Sequence, residues 1–249
     1  MQRPELAVFK THRMNPERIA SYYRERRRLG EVEPYRYVDD LGLALHDEII
    51  RRHIPVRIVT LVREPIARNV SAYFHILEVL WQRSDAYSAL STEELTRGFL
   101  ERGRHIVPLE WFDQEFRPVT DLDVYSTPFP AAAGCLRLRA GPHDVLVLRA
   151  DLDDAAKAQR LAEWLGLEDF ELMRMNEAGR KHYAGTYAAA IRQMRLPPSY
   201  VDEMLESRYA RHFFSAAELM QLRAQWVAEE HAGGSRPRAE RDAIMHPRG

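Results

Sequence analysis

The segment Arg57–Phe74, RIVTLVREPIARNVSAYF, decides the predicted fold. Together with Val56 before it, its first part is β-branched and almost entirely apolar, which is typical of a parallel strand buried on both faces. Pro65 follows, and apolar residues then recur at helical spacing from Ile66 to Leu77. A strand that leads directly into an amphipathic helix is half of a βαβ unit. The segment therefore predicts an α/β protein.

Upstream of this segment, the pattern predicts a strand and then two helices. Leu6–Phe9 has the composition of a short strand. Asn15 followed by Pro16 predicts the cap and first residue of a helix that ends near Gly30. A second helix is expected over residues 40–53, since its apolar residues recur at helical spacing.

Downstream, helical patterns dominate. Ser91 and Glu94 have the spacing of a capping box and predict a helix start. The further expected elements are strands at 134–139 and 144–149, a helix at 151–166, and helices from 180 to 230 with a break at Pro197. We expect one α/β domain over residues 1–230, helix-rich in its C-terminal half, and a disordered tail over 231–249.

Composition narrows the possible functions. The chain has 249 residues, and 36 Lys and Arg nearly balance 37 Asp and Glu, which argues against a nucleic-acid partner. Cys135 is the only cysteine, so neither an internal disulfide nor a cysteine metal cluster can form. No segment has the length of a membrane span, and the first residues do not form a signal peptide pattern. We expect a cytoplasmic protein without an integral membrane segment.

The strongest chemical signal is the pair Arg63 and Ser71. Arg63 directly follows the predicted strand, at the end where open α/β sheets bind ligands, and Ser71 lies two turns into the helix. An arginine, a helix start with free N–H groups and a hydroxyl together suit a phosphate. A turn in which Arg63 pairs with Glu64 or another acid is the structural alternative, and the residues alone leave both readings open.

The segment Arg57–Phe74 resembles the strand, turn and helix with which sulfotransferases hold 3′-phosphoadenosine 5′-phosphosulfate (PAPS). In that family an arginine after the strand and a serine eight residues later contact the 3′-phosphate, and Arg63 and Ser71 match both positions. The acid–proline pair after the arginine and the aromatic Tyr73 also match. The resemblance implies a three-layer P-loop-type sheet of mostly parallel strands, with PAPS as sulfuryl donor and no metal.

The segment Val8–His12 is similar to the Lys-Thr-His step that carries the catalytic histidine of many sulfotransferases. A neutral alcohol attacks sulfur poorly, so the reaction needs a base, and histidine is a base near neutral pH. The resemblance implies that His12 is the catalytic base. It also makes Lys10 a candidate for stabilising negative charge on the transferred group.

The second half of the chain resembles bacterial proteins named for capsular polysaccharide synthesis, which are sulfotransferase-like. The matching residues are Asp123–Tyr125, Val145–Arg149, Asn176, Lys181 and Tyr187. The resemblance implies a glycan as acceptor and adds Lys181 as a candidate for binding the nucleotide.

The chain departs from the family at one point. Sulfotransferases begin with a strand and a Lys-x-Gly-Ser/Thr loop around the 5′-phosphosulfate, and no such segment precedes Leu6. We therefore expect an N-terminally truncated version of the fold. Two explanations stay open: the loop is encoded upstream of Met1, or the chain is a relative that only binds. The missing loop also argues against a P-loop nucleotide kinase.

The leading hypothesis is a sulfotransferase that moves a sulfuryl group from PAPS to a hydroxyl of a capsular or cell-surface glycan. The alternative is a catalytically inactive sulfotransferase-like protein that binds a nucleotide or a partner protein, the latter through an exposed strand edge.

Overall fold

The computed structural model describes residues 7–28, 36–168, 170–172 and 183–227. The helices before the hairpin are α1 (Pro16–Arg28), α2 (Arg36–Leu45), α3 (Pro65–His75), α4 (Leu77–Trp81), α5 (Ala86–Ala89), α6 (Thr92–Arg102), α7 (Val107–Trp111) and α8 (Arg117–Thr120). The later helices are α9 (Asp154–Leu165), α10 (Ala184–Gln193), α11 (Pro198–Leu205), α12 (Arg208–Phe213) and α13 (Ala216–Trp226). The strands are β1 (Arg57–Val62), β2 (Cys135–Ala140) and β3 (His143–Arg149). Two π-helical turns (His46–Ile50 and Phe112–Phe116) and a 3₁₀ turn (Val124–Ser126) complete the list.

The sheet is small and mixed. Its order is β1-β3-β2, with β1 parallel to β3 and β2 antiparallel to β3. Val62 of β1 lies opposite Arg149 of β3, so both strands end at the same edge of the sheet. The predicted three-layer P-loop-type sheet of mostly parallel strands is therefore wrong for the described residues, which form a three-stranded mixed sheet among many helices.

The predicted first strand accounts for part of this difference. Ala7–Phe9 pairs with no strand of the described residues, and the side chains of Val8 and Phe9 are 86% and 55% exposed. Leu6 lies outside the described residues. An apolar run of three or four residues carries too little information to specify a pairing partner, because strand pairing depends on residues distant in sequence.

Strand β1 itself is confirmed, but its predicted burial on both faces is wrong. Val62 is fully buried, whereas Val59 and Leu61 are 43% and 61% exposed. In the described part of the chain β1 pairs only with β3, and no described segment covers the side that carries Val59 and Leu61. The strand is thus an edge strand with one partly exposed apolar face.

Two apolar clusters hold the helices to the sheet. The larger one packs α3 against the C-terminal helices through residues such as Phe74, Met204 and Trp226. The second surrounds β3 and includes Val145 and Phe213, the latter from α12. Helix α3 packs against α7, α10 and α11, and this packing positions the turn before it.

Several local predictions are confirmed. The Asn15 side chain accepts the N–H of Glu17 at 3.0 Å and caps α1, and Ser91 forms the expected capping box on α6. The hairpin of β2 and β3 and the helix after it are also present. Residues 184–226 form four separate helices, with the expected break at Pro197. The tail over 231–249 lies outside the described residues.

Within the described ranges, no helix combines the length and the apolar character needed to cross a membrane.

Tyr209 of α12 ties the C-terminal helices to the end of β1. Its hydroxyl accepts the N–H of Arg63 at 3.1 Å and donates to the carbonyl of Arg63 at 3.0 Å. Tyr209 is only 5% exposed, so water cannot readily replace it as the partner of these groups. One hydroxyl therefore satisfies both main-chain groups of the residue between β1 and α3.

We expect Tyr209→Phe to lower the free energy of unfolding by about 1–3 kcal/mol, because two buried main-chain groups lose their partner. Urea denaturation measures this loss. The matched control is Tyr37→Phe, which removes a hydroxyl from a side chain that is 74% exposed and should change stability by less than about 0.5 kcal/mol. Equal stability of the two variants would contradict the assignment.

Candidate functional site

The turn between β1 and α3 is closed by Glu64. Its carboxylate oxygens accept the N–H groups of Ile66 at 2.7 Å and Ala67 at 2.6 Å. The N–H of Arg68 bonds to the Glu64 carbonyl at 3.0 Å. The start of α3 was expected to offer free N–H groups to a phosphate. The structure instead uses these groups for its own cap, so an anion here has to be bound by side chains.

Arg63 extends from this turn without an ion pair to a described acid, although its charge lowers the pKa of the adjacent Glu64. The guanidinium is half-buried, and its Nη2 donates to the hydroxyl of Tyr187 at 3.4 Å. Within the described ranges no carboxylate oxygen lies within 4.0 Å of its nitrogens. The alternative in which Arg63 merely pairs with Glu64 is therefore not what the structure has.

Arg68, one turn into α3, is a second arginine of the same kind. It is half-buried, its Nη1 donates to Asn69 Oδ1 at 3.2 Å, and no carboxylate of the described residues reaches it. Burial and the positive charge of Arg63 lower the pKa of the Arg68 guanidinium. Two cations in one partly buried region, neither of them in an ion pair with a described residue, favour the binding of an anion.

Arg149 provides the contrast at the end of the neighbouring strand. It lies opposite Val62 and is only 6% exposed. Its guanidinium contacts Asp151 and bonds to Glu218 at 2.7 Å. The charge of Arg149 is therefore neutralised within the protein, and its role is structural.

Ser71 lies on α3 three residues after Arg68, so the two side chains share one face of the helix. The residue is half-buried, and its hydroxyl bonds to no other described residue. It is free to donate a hydrogen bond to a ligand on that face.

His12 lies in the irregular segment before α1 and is exposed. Partial burial lowers the pKa of its imidazole, and the charges of Lys10, Arg13 and Arg68 lower it further, whereas Asp39 raises it. Arg68 therefore acts electrostatically on His12 and Arg63 acts on Arg68, while Asp39 and Glu64 bring negative charge to the same groups. Lys10 is exposed and also acts on His12.

The predicted site residues are thus partly brought together. Lys10 and Arg68 act electrostatically on His12, Arg63 acts on Arg68, and Ser71 shares a helix face with Arg68. Lys181, like Asn176, lies outside the described residues, so its role stays a prediction. Arg68 was missed as a site residue, although its place three residues before Ser71 in the quoted motif is a usable signal.

An open cleft of about 490 Å³ lies elsewhere in the described part of the chain, lined by Tyr125, Glu206, Arg208, Arg211 and His212. Its two arginines have acidic neighbours, since Arg211 lies 3.6 Å from Glu206 and Arg208 lies 3.6 Å from aspartate oxygens. No predicted site residue lines this cleft. It is therefore a poorer candidate for an anion than the region around Arg63 and Arg68.

Comparison with known proteins gives one match. The model of a family described as "Putative capsular polysaccharide synthesis protein" matches residues 104–215. A search of curated proteins and a search of solved structures found no match. The matched region includes Tyr187 and Tyr209, whose hydroxyls contact Arg63, but it does not include His12 or Arg63 itself.

Burial of Glu64 leads to a pH dependence of stability. Burial raises the pKa of this carboxyl to about 7, although bonds from the Ala67 and Ile66 N–H groups oppose the rise. Because the pKa of Glu64 is raised, the folded state binds this proton more tightly than the unfolded chain does. The stability that the proton contributes is fully present below the unfolded pKa, near 4.5, and is lost as the pH rises through about 7.

We therefore expect the free energy of unfolding to fall by about 1–3 kcal/mol between pH 5 and pH 8 because of this group. Urea denaturation at both pH values measures the change. The Glu64→Gln variant keeps an acceptor for the helix N–H groups and should lack this part of the fall. The same pH dependence in both proteins would show that Glu64 is already ionised at pH 5.

Proposed function

We propose that the chain is a sulfotransferase that moves a sulfuryl group from PAPS to a hydroxyl of a glycan. The observation that carries the proposal is the pair of half-buried arginines, Arg63 and Arg68, that have no carboxylate partner in the described part of the chain. The family match over residues 104–215 supports a role in capsular polysaccharide synthesis.

Energetics favour a ligand at this place. A partly buried cation without a partner costs free energy, and proteins usually avoid this cost by pairing it, as Arg149 is paired here. A phosphate between Arg63 and Arg68 would bring two negative charges and several acceptors to donors that have few partners. An anion site therefore explains two arginines without ion-pair partners better than a purely structural role does.

The roles follow from position. Arg63 and Ser71 would bind the 3′-phosphate, as the resemblance to sulfotransferases implies, and Arg68 would add a second charge-assisted contact. Because the N–H groups at the start of α3 are already bonded to Glu64, side chains rather than main chain would provide selectivity. Lys181 is proposed as a further contact to the nucleotide.

In the proposed transfer step, His12 accepts the proton of the acceptor hydroxyl. As the acceptor oxygen bonds to sulfur, the bond from sulfur to the phosphate oxygen breaks and adenosine 3′,5′-bisphosphate leaves. The hydroxyl proton passes to the imidazole, which is neutral at pH 7 because its pKa is lowered by burial and by nearby cations. Lys10 would stabilise negative charge on the transferred group.

A second candidate function is binding without transfer. One observation favours it: Val59 and Leu61 of the edge strand β1 are 43% and 61% exposed, which suits a partner that extends the sheet. In this reading the arginines hold a nucleotide or another anion but no sulfuryl group moves. Nucleotide binding without any transfer would favour this candidate.

We expect adenosine 3′,5′-bisphosphate to raise the melting temperature of the wild type, because it binds the folded state only. The increase should be lost in Arg63→Ala and reduced in Arg68→Ala, since each variant removes one unpaired cation. Plain 5′-AMP, which lacks the 3′-phosphate, should give no increase. Differential scanning fluorimetry over a titration of each nucleotide provides the measurement.

The control variant is Arg160→Ala on α9, whose guanidinium lies 3.7 Å from Glu163 and outside the proposed site. It should keep the full increase with the bisphosphate. A folded wild type that shows no increase at millimolar nucleotide, or an increase that survives in Arg63→Ala, would contradict the proposed 3′-phosphate contact.

His12→Gln separates binding from chemistry. We expect this variant to bind adenosine 3′,5′-bisphosphate as the wild type does, whereas kcat should fall by a factor of about 10²–10⁴ because the proton acceptor is lost. Transfer from sulfur-labelled PAPS to a panel of soluble oligosaccharides measures kcat. An unchanged kcat would rule out His12 as the base.

A further inference from the structure

The segment that carries His12 is held more firmly than its burial requires. Residues 11–15 contain no helix or strand, and the neighbouring side chains of Val8 and Phe9 are 86% and 55% exposed. An irregular surface segment with few apolar contacts is usually mobile. Here, however, main-chain and side-chain groups of residues 12–15 bond to α2, to the end of α7 and to the π-helical turn after α7.

The end of α7 and the π-helical turn after it hold the main chain. Trp111 Nε1 donates to the carbonyl of His12 at 3.1 Å. Glu115 Oε2 accepts the N–H of Asn15 at 3.1 Å and the N–H of Met14 at 3.4 Å. These contacts do not depend on the side chain at position 12, but together they fix the backbone from which it extends.

Helices α1 and α2 hold the same segment from the other side. Arg13 forms two bonds of 2.8 Å with Asp39, which is 1% exposed and also accepts the hydroxyl of Tyr23 at 2.6 Å. A Cβ at Gly42 would lie only 1.9 Å from the Arg13 carbonyl, so α2 can approach this segment only with glycine at that position.

In this arrangement, burial of the Glu115 carboxyl has the largest cost in free energy. Its carboxylate is 5% exposed, and its closest cation, Arg18 Nε, is 3.9 Å away. Burial raises the pKa of Glu115, although the N–H groups of Asn15 and Met14 oppose the rise. A buried acid that serves mainly to bind the N–H groups of Met14 and Asn15, directly after His12, needs a reason, because such burial destabilises the fold.

We propose that Trp111 and Glu115 are positioning residues, which hold the backbone from which the His12 imidazole extends. This inference rests on the proposed function, because it assigns to the two residues the placement of the proposed base. The segment is built to place one side chain rather than to fill the core. Small displacements of a reacting group lower rates strongly, so such a role has a measurable consequence.

The experiment compares two tryptophan variants. Trp111→Phe removes the indole N–H that bonds to the His12 carbonyl, together with one ring of the bicyclic side chain, and keeps an aromatic ring against Phe112 and Phe116. Trp81→Phe is the matched control, since Trp81 Nε1 donates to the Tyr73 hydroxyl at 2.8 Å, away from residues 11–15. Each variant thus loses one indole hydrogen bond.

The first measurement is the pKa of His12, followed by NMR of isotope-labelled histidine and assigned with His12→Gln. Partial burial and the charges of Lys10, Arg13 and Arg68 lower this pKa in the wild type, and Asp39 opposes them. In Trp111→Phe we expect it to rise toward the ordinary value, because the imidazole leaves that environment. In Trp81→Phe it should stay unchanged. A His12 pKa that is equal in both variants would overturn the inference.

The second measurement is transfer from sulfur-labelled PAPS. Trp111→Phe and Glu115→Leu, which has no acceptor for the N–H groups of Met14 and Asn15, should each lower kcat about tenfold with an unchanged dissociation constant for adenosine 3′,5′-bisphosphate. Trp81→Phe should lower the melting temperature as much as Trp111→Phe does but keep the kcat of the wild type. A fall in kcat that merely follows the loss of stability would contradict positioning. If the His12 pKa responds as expected but the wild type transfers no sulfuryl group, the positioning stands and the proposed function fails.

Discussion

The hydroxyl of Tyr209 is the contact on which the arrangement of the candidate site depends. It bonds to both the N–H and the carbonyl of Arg63, the residue at which the chain leaves β1 and approaches α3. Sheet, turn and C-terminal helices therefore meet at one buried residue that is 5% exposed. From this fixed main chain, the guanidinium of Arg63 reaches the hydroxyl of Tyr187. The position of the candidate anion site follows from this constraint.

Charge pairing distinguishes the two strand ends at this edge of the sheet. Arg149, after the central strand, is neutralised by Asp151 and Glu218. Arg63 and Arg68, after the edge strand, have no acid among the described residues. The family match covers the tyrosines that contact Arg63 but not the arginine itself. The region that the family model matches, residues 104–215, thus contacts Arg63, which is proposed to bind phosphate.

The segment before α1 illustrates how far local reasoning reaches. Its residue types predicted a strand followed by a catalytic histidine, but Ala7–Phe9 forms no strand. The segment is held instead by hydrogen bonds to Trp111, Glu115 and Asp39. Partners about 25 and 100 residues away along the chain cannot be identified from a short window of residues, because only the folded chain brings them together.

By itself, the sequence determined the local structure: the caps at Asn15 and Ser91, strand β1, helix α3 and the hairpin of β2 and β3. These features depend on residues a few positions apart, for which spacing and residue type suffice. Tertiary structure alone decided that the sheet has three described strands, that Glu64 occupies the N–H groups at the start of α3, and that Arg68 lacks an acidic partner. Each of these features depends on which groups distant in sequence lie near a residue and which do not. Only the packed chain specifies both.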